Sequence, residues 1–282
     1  MSNSSDATRV LATLDPEIVD TLVSRRAAIA RGATTTGVVM AGLRMGTVPA
    51  ALAALSSSAF GQGARLPTAV IGVLNFALKL EYLESEFYNR GLATQGLIPA
   101  ADRTIFTTIQ GHENTHVEFL RTTLGASARP KPTFDFTAGR GSGNGPFATV
   151  FTNYATFQAV AQAFEDTGVR AFKGQAPTLL PYPTVLEAAL SIHSVEARHA
   201  AEVRRLRGNF QDNEPNQGWI TLAQTDIPGT AAVYAGEENT MQGGVEVTSL
   251  VPTVAAKEVA EAFDEPLTMA QVLAIVEPFF AA

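Results

Sequence analysis

Two Glu-x-x-His units, Glu113-Asn114-Thr115-His116 and Glu196-Ala197-Arg198-His199, each follow a lone glutamate, Glu81 and Glu165. The distances nearly match: 32 residues from 81 to 113 and 31 from 165 to 196. A glutamate and a histidine three apart share one face of a helix, so each unit can offer a carboxylate and an imidazole to a common site. Four helices would bring both units together with the two plain glutamates, the donor set that a carboxylate-bridged pair of metal ions requires. Solvated helix faces also produce Glu-x-x-His by chance. With glutamate at roughly 6% of residues, two of only four histidines meeting the pattern is expected at about the 2% level. The halves agree further, since Tyr88 follows Glu81 by seven residues and Phe172 follows Glu165 by seven, with Gly91 and Gly174 shortly beyond.

The elements that must position these residues can be placed from their periods and stops. The first helix is predicted from Pro67 to Gly91, with Leu74, Ala77, Glu81, Glu84 and Tyr88 on one stripe. The second begins near Pro99 and ends before Gly125, the third runs from Phe147 to Gly174, and the fourth from Pro183 to just before Gly208. Between the second and third lies a long stretch, 126–146, with Pro130, Pro132 and then Gly139-Arg140-Gly141-Ser142-Gly143-Asn144-Gly145-Pro146. A structureless loop of that length normally counts against an assignment. Gly111 and Gly168 fall inside helices at a cost near ~1 kcal/mol each, which points to close helix approach or a local bulge near the site.

The flanks read differently. Residues 1–64 contain Ser24-Arg25-Arg26 ahead of a weakly apolar, small-residue stretch, which resembles a twin-arginine export signal and points to the periplasm. Arg31 and Arg44 interrupt that stretch, and an Ala-rich assembly helix in a chain retained in the cytoplasm is the alternative. The four-helix unit occupies 65–210. Residues 211–282 form an acidic, loop-rich extension with short strands expected around Val245 and Thr248, and helices expected at Pro252–Phe263 and Thr268–Phe280. Thr268 and Gln271 have the spacing of a capping box. Val272, Leu273, Val276 and Phe279 or Phe280 would dock on the bundle or on a neighbouring subunit of a homo-oligomer.

Composition narrows the function classes. A net charge of −7 without basic clusters argues against a nucleic-acid partner, because nothing would neutralise a phosphate backbone. The absence of cysteine excludes disulfides, iron–sulfur clusters and thiolate zinc sites. No segment is apolar enough over ~18 residues for an integral membrane protein.

Leu80-Glu81-Tyr82-Leu83-Glu84-Ser85-Glu86-Phe87-Tyr88, His112 to His116, Phe164 to Phe172 and Glu196 to His199 resemble the bacterial ferritin-like proteins grouped with plant desiccation-related proteins. Tyr234 to Asn239 and Ala262 to Thr268 extend the likeness, which covers residues 70–280. The resemblance implies an all-α, ferritin-like four-helix bundle, whose single long crossover the 126–146 stretch would supply. It also implies a site for two metal ions, iron or manganese. Carried over residue by residue, Glu81 and His116 would bind one ion, Glu165 and His199 the other, and Glu113 and Glu196 would bridge them. Hard carboxylate oxygens with imidazole suit both metals.

Glu84, one turn beyond Glu81, is an alternative ligand. His112 and His193 would support a ligand from behind or sit on the surface. Tyr88 would hydrogen-bond a ligating carboxylate, act as a redox-active phenol, or simply pack in the core. Two functions follow as expectations. One is a di-metal oxidoreductase that oxidises Fe(II) or reacts with oxygen or peroxide in stress protection. The other is a non-catalytic, desiccation-protective bundle with a structural or empty site.

Overall fold

The computed structural model of the protein describes residues 66–208 and 217–281. The export-like segment with Arg25 and Arg26 lies outside them. Four long helices carry the fold: α1 (Thr68–Ala93), α2 (Arg103–Leu124), α3 (Tyr154–Leu179) and α4 (Pro183–Arg207). The extension adds α5 (Ala231–Tyr234), a two-stranded antiparallel hairpin of β1 (Met241–Gln242) and β2 (Val245–Glu246), then α6 (Val247–Leu250), α7 (Ala256–Ala260) and α8 (Met269–Val276). Among the described residues no helix is long and apolar enough to cross a membrane.

Partner residues give the helix directions. Ser85 bonds Asn114 while Asn89 reaches Gln110, so α1 and α2 are antiparallel. Asp166 meets Arg204 and Gln162 meets Arg207, so α3 and α4 are antiparallel too. Tyr88 reaches Glu165 and Gly91 lies against Phe157, so α3 opposes α1. Hence α1 runs parallel to α4, and α2 to α3, which only a long crossover from the end of α2 to the start of α3 permits. That is the expected four-helix bundle with its crossover.

Local chemistry explains the boundaries. Pro183 opens α4 where no backbone donor is needed, and Gly208 stands just past its end, as expected. Pro99 opens a separate turn, accepting from Asp102 N and Arg103 N, and α2 proper starts at Arg103. The third helix begins seven residues later than expected. Asn153 is extended and its side chain accepts from Thr156 N at 3.0 Å, so the cap starts a helix at Tyr154. That helix then runs past Gly174, which does not end it. Gly174 serves a close approach instead: a Cβ there would collide with the backbone carbonyl of Leu267.

The crossover is ordered by one carboxylate. Asp135 accepts from Thr137 N (3.1 Å), Thr137 Oγ1 (2.6 Å), Gly141 N (2.9 Å) and Gly143 N (2.9 Å), and so ties the glycine-rich loop around itself. The C-terminal tail pairs with this loop through Asp135 N to Phe279 O and Ala281 N to Thr133 O. The capping box of Thr268 and Gln271 is present at the start of α8. Val272, Val276 and Phe279 are buried, with the Phe279 ring edge-on to Phe164 of α3, so α8 docks on its own bundle. The expected strand at Thr248 is instead the first turn of α6, where Glu246 caps Thr248 N. The helix expected over Pro252–Phe263 shortens to α7.

Arg170 of α3 holds the middle of the extension. Its guanidinium donates to the carbonyls of Val233, Ala235 and Glu265 and pairs with Glu237 at 2.6 Å, both side chains being 1% exposed.

Candidate metal centre

Glu81, Glu113, Glu165 and Glu196 are fully buried, and His116 and His199 nearly so. All four long helices contribute: Glu81 from α1, Glu113 and His116 from α2, Glu165 from α3, Glu196 and His199 from α4. They form two overlapping groups. Glu81, Glu113, His116 and Glu196 each offer a donor atom within 4.8 Å of the others, and so do Glu113, Glu165, Glu196 and His199. Glu113 and Glu196 belong to both.

The distances show how the sharing works. His116 Nδ1 lies 3.2 Å from Glu81 Oε2, 3.3 Å from Glu113 Oε2 and 3.1 Å from Glu196 Oε1. His199 Nδ1 lies 2.8 Å from Glu113 Oε1 and 3.3 Å from Glu165 Oε2. Glu113 therefore turns one oxygen to each histidine.

Glu81 Oε1 and Glu196 Oε2 are buried with no hydrogen-bond partner, and the contacts that Glu113 Oε1, Glu165 Oε2, Glu196 Oε1 and His199 Nδ1 make with the opposing charged groups are not aligned as hydrogen bonds. Each such orphan costs about 1–3 kcal/mol, more if charged. Converging lone pairs on buried carboxylates and imidazoles are what a cation satisfies, and four carboxylates neutralise two divalent ions. The residues present thus fit a metal-binding group.

Electrostatics describe the same cluster without a cation. Burial pushes the carboxyls of Glu81 and Glu165 up to about 8, against the pull of His116 and His199 respectively. Burial and the neighbouring Glu113 push Glu196 up to about 7. Glu113 goes the other way: burial raises it, but His116 and His199 together hold it well below the usual carboxylate range. Burial disfavours charge on both imidazoles, yet the facing carboxylates lift them well above the ordinary histidine value. Protons thus sit where a cation would otherwise balance the charge.

The chain belongs to the ferritin-like domain family. The match covers residues 69–209, half of the chain, and spans all four long helices and every residue of the cluster. No curated protein matches the chain.

In this ferritin-like bundle the surrounding residues take definite places. Tyr88 is fully buried and its hydroxyl donates to Glu165 Oε1. Burial, then the Glu165 carboxylate, raises the phenol well above its ordinary pKa, so it keeps its proton. Phe172, its counterpart by spacing, lies toward the other end of the bundle, because α1 and α3 run in opposite directions. His112 backs His199: its Nδ1 is 2.9 Å from His199 Nε2 and the rings stack. His193 belongs to neither group. Glu84 also belongs to neither, but it is buried near them. A Cβ on Gly168 would lie 3.2 Å from Glu84 Oε1 and 3.3 Å from Glu196 Oε2, so that glycine does make room at the cluster. Gly111 has nothing near its missing side chain and makes no close approach.

Asp166, Arg204 and Tyr234 were not singled out by the sequence. Asp166, next to Glu165, is buried, pairs with Arg204 and accepts from the Tyr234 hydroxyl at 2.8 Å. A charged residue adjoining a ligand candidate on a buried helix was the one signal available for it. Its partners come from the end of α4 and from the extension.

Proposed function

We propose that Glu81, Glu113, His116, Glu165, Glu196 and His199 hold two metal ions, iron or manganese, and that the protein is an oxidoreductase. It oxidises Fe(II), or reacts with oxygen or peroxide, in stress protection of the desiccation-related kind. The observation that carries this reading is the membership of Glu113 and Glu196 in both donor groups. The chemistry such ions supply when bound is electron transfer to a small oxidant, each passing between its divalent and trivalent states.

The chain's own residues have separate tasks. Glu113 spans the two histidines and fixes the separation of the donor groups. The Tyr88 phenol, holding its proton, donates to Glu165 and orients it. With metal bound, His112 would accept from His199 Nε2, which would leave the His199 Nδ1 lone pair as the ligand atom. Glu84, whose carboxyl burial and then Glu196 push well above the usual range, carries a proton beside Glu196. On one side Phe87, Phe106 and Phe157 form a layer of packed rings that excludes water. The extensions and an export route read by Arg25 and Arg26 belong to the same proposal: changing both to Lys should keep the chain in the cytoplasm.

Oxygen uptake with Fe(II), and peroxide consumption, test the activity against equal free metal. Glu81→Ala should reduce the rate sharply while far-ultraviolet circular dichroism stays helical, since apolar packing holds the bundle. A metal-loaded wild type no faster than free metal in both assays overturns the enzyme reading.

A further inference from the structure

Beyond the cluster, on the side away from the packed phenylalanines, the bundle interior is under-filled. A cavity of about 30 Å³ lies among all four long helices. Its position follows from the sequence register. Ala77 and Ile192 precede Glu81 and Glu196 by one turn, Leu120 follows His116 by one turn, and Phe172 follows Glu165 by two. Because α1 and α4 run one way and α2 and α3 the other, all four positions fall on the same side of the cluster. Leu80 and the small side chain of Ala188 complete this part of the wall.

The lining decides what can occupy it. The volume exceeds the ~10–15 Å³ that one water needs, but a buried water also needs two to four polar partners. Thr123, Gln175 and Thr184 are the polar residues on the wall, but the Thr123 hydroxyl is committed to Phe119 O and the surface that faces the cavity is almost wholly apolar. A chamber so lined stays dry and takes up small apolar molecules.

We propose that this chamber binds dioxygen, an apolar molecule of suitable size, and holds it one helical turn from the metal ligands. The choice of dioxygen rests on the oxidoreductase reading above; the chamber's preference for a small apolar gas rests on its walls alone. The chamber then acts as the reservoir from which the oxidant reaches the centre without crossing the packed aromatic side.

Dioxygen is paramagnetic, so its residence can be read without turnover. Methyl relaxation is measured by nuclear magnetic resonance on the full chain with zinc, which is diamagnetic and redox-silent, under oxygen and then under nitrogen. The methyls of Leu120 and Ile192, with those of Ala77, Leu80 and Ala188, should show several-fold larger oxygen-dependent relaxation than those of Leu83 and Val160, which are as buried as Leu120 and Ile192 but outside the chamber. Ala188→Leu should abolish the excess by filling the space, and Ile192→Ala should increase it by enlarging the space. Equal enhancement at lining and non-lining methyls, or an excess indifferent to both substitutions, overturns the proposal. In the wild type, no Fe(II) oxidation with the excess present would defeat the functional reading and leave the chamber as a gas site. In the wild type, Fe(II) oxidation without any excess at the lining methyls would do the reverse.

Discussion

His112 Nδ1 stands 2.9 Å from His199 Nε2, with the two imidazole planes 12° apart. Burial, then the neighbouring His199 and His116, keep the His112 pKa below the ordinary value and favour its neutral form, whose Nδ1 can accept from a protonated His199 Nε2. Once a metal displaces the proton on His199 Nδ1, this contact would hold the tautomer whose Nδ1 lone pair faces the cluster.

His112→Phe keeps a ring in the stack and removes the acceptor. Metal affinity should fall by about 10–100-fold with little change in the melt of the metal-free chain. His112→Asn should recover part of the affinity. Competition with a fluorescent chelator measures both; equal affinity in wild type and Phe variant would show that the bond does not orient His199.

Tyr88→Phe deletes one hydroxyl from a fully packed position and leaves Glu165 Oε1 without its donor. The metal-free protein should lose about 1–3 kcal/mol in urea unfolding. Fe(II) oxidation should also slow if the phenol orients Glu165. A variant as stable and as fast as wild type would reduce Tyr88 to packing.

Arg170→Met removes one partner of an ion pair whose two side chains are 1% exposed. Stranding the Glu237 carboxylate should cost about 3–5 kcal/mol. Adding Glu237→Gln should restore part of that loss, because the two residues are coupled. Limited proteolysis of the single variant should begin in the extension; cleavage first in the long helices would contradict its role as the anchor.

Asp135 gives a pH dependence. Burial pushes its carboxyl up, but hydrogen bonds from Thr137, Gly143 and Gly141 outweigh that and hold it below 3.8. A depressed carboxylate contributes stability that is present above its unfolded pKa and lost as pH falls through the folded one. Asp135→Asn should therefore unfold more easily at pH 7, and its deficit should shrink as pH drops below 3.8. A deficit independent of pH would assign the effect to shape alone.

Legibility in the sequence followed the range of the interaction. α4 was readable to the residue because Pro183 and Gly208 act locally, and the capping box of Thr268 and Gln271 is a three-residue signal. The six clustered residues were readable because Glu-x-x-His twice, at matched spacing, is a helical pattern. α3 was misplaced at its start because Asn153 caps only once the chain before it turns away. The Arg170–Glu237 and Asp166–Arg204–Tyr234 contacts join residues far apart in sequence and leave no periodic trace. The mirrored Tyr88 and Phe172 looked equivalent by spacing, and only the antiparallel packing of α1 and α3 sends one to the cluster and the other to the apolar chamber.

The central claim is that Glu113 and Glu196 bridge two ions, and elemental analysis of protein loaded with iron or manganese tests it most directly. Wild type should carry about two ions per chain, and the double variant Glu113→Ala, Glu196→Ala should lose most of both while remaining helical. A double variant that still binds about two ions, or a wild type that binds none, contradicts the account.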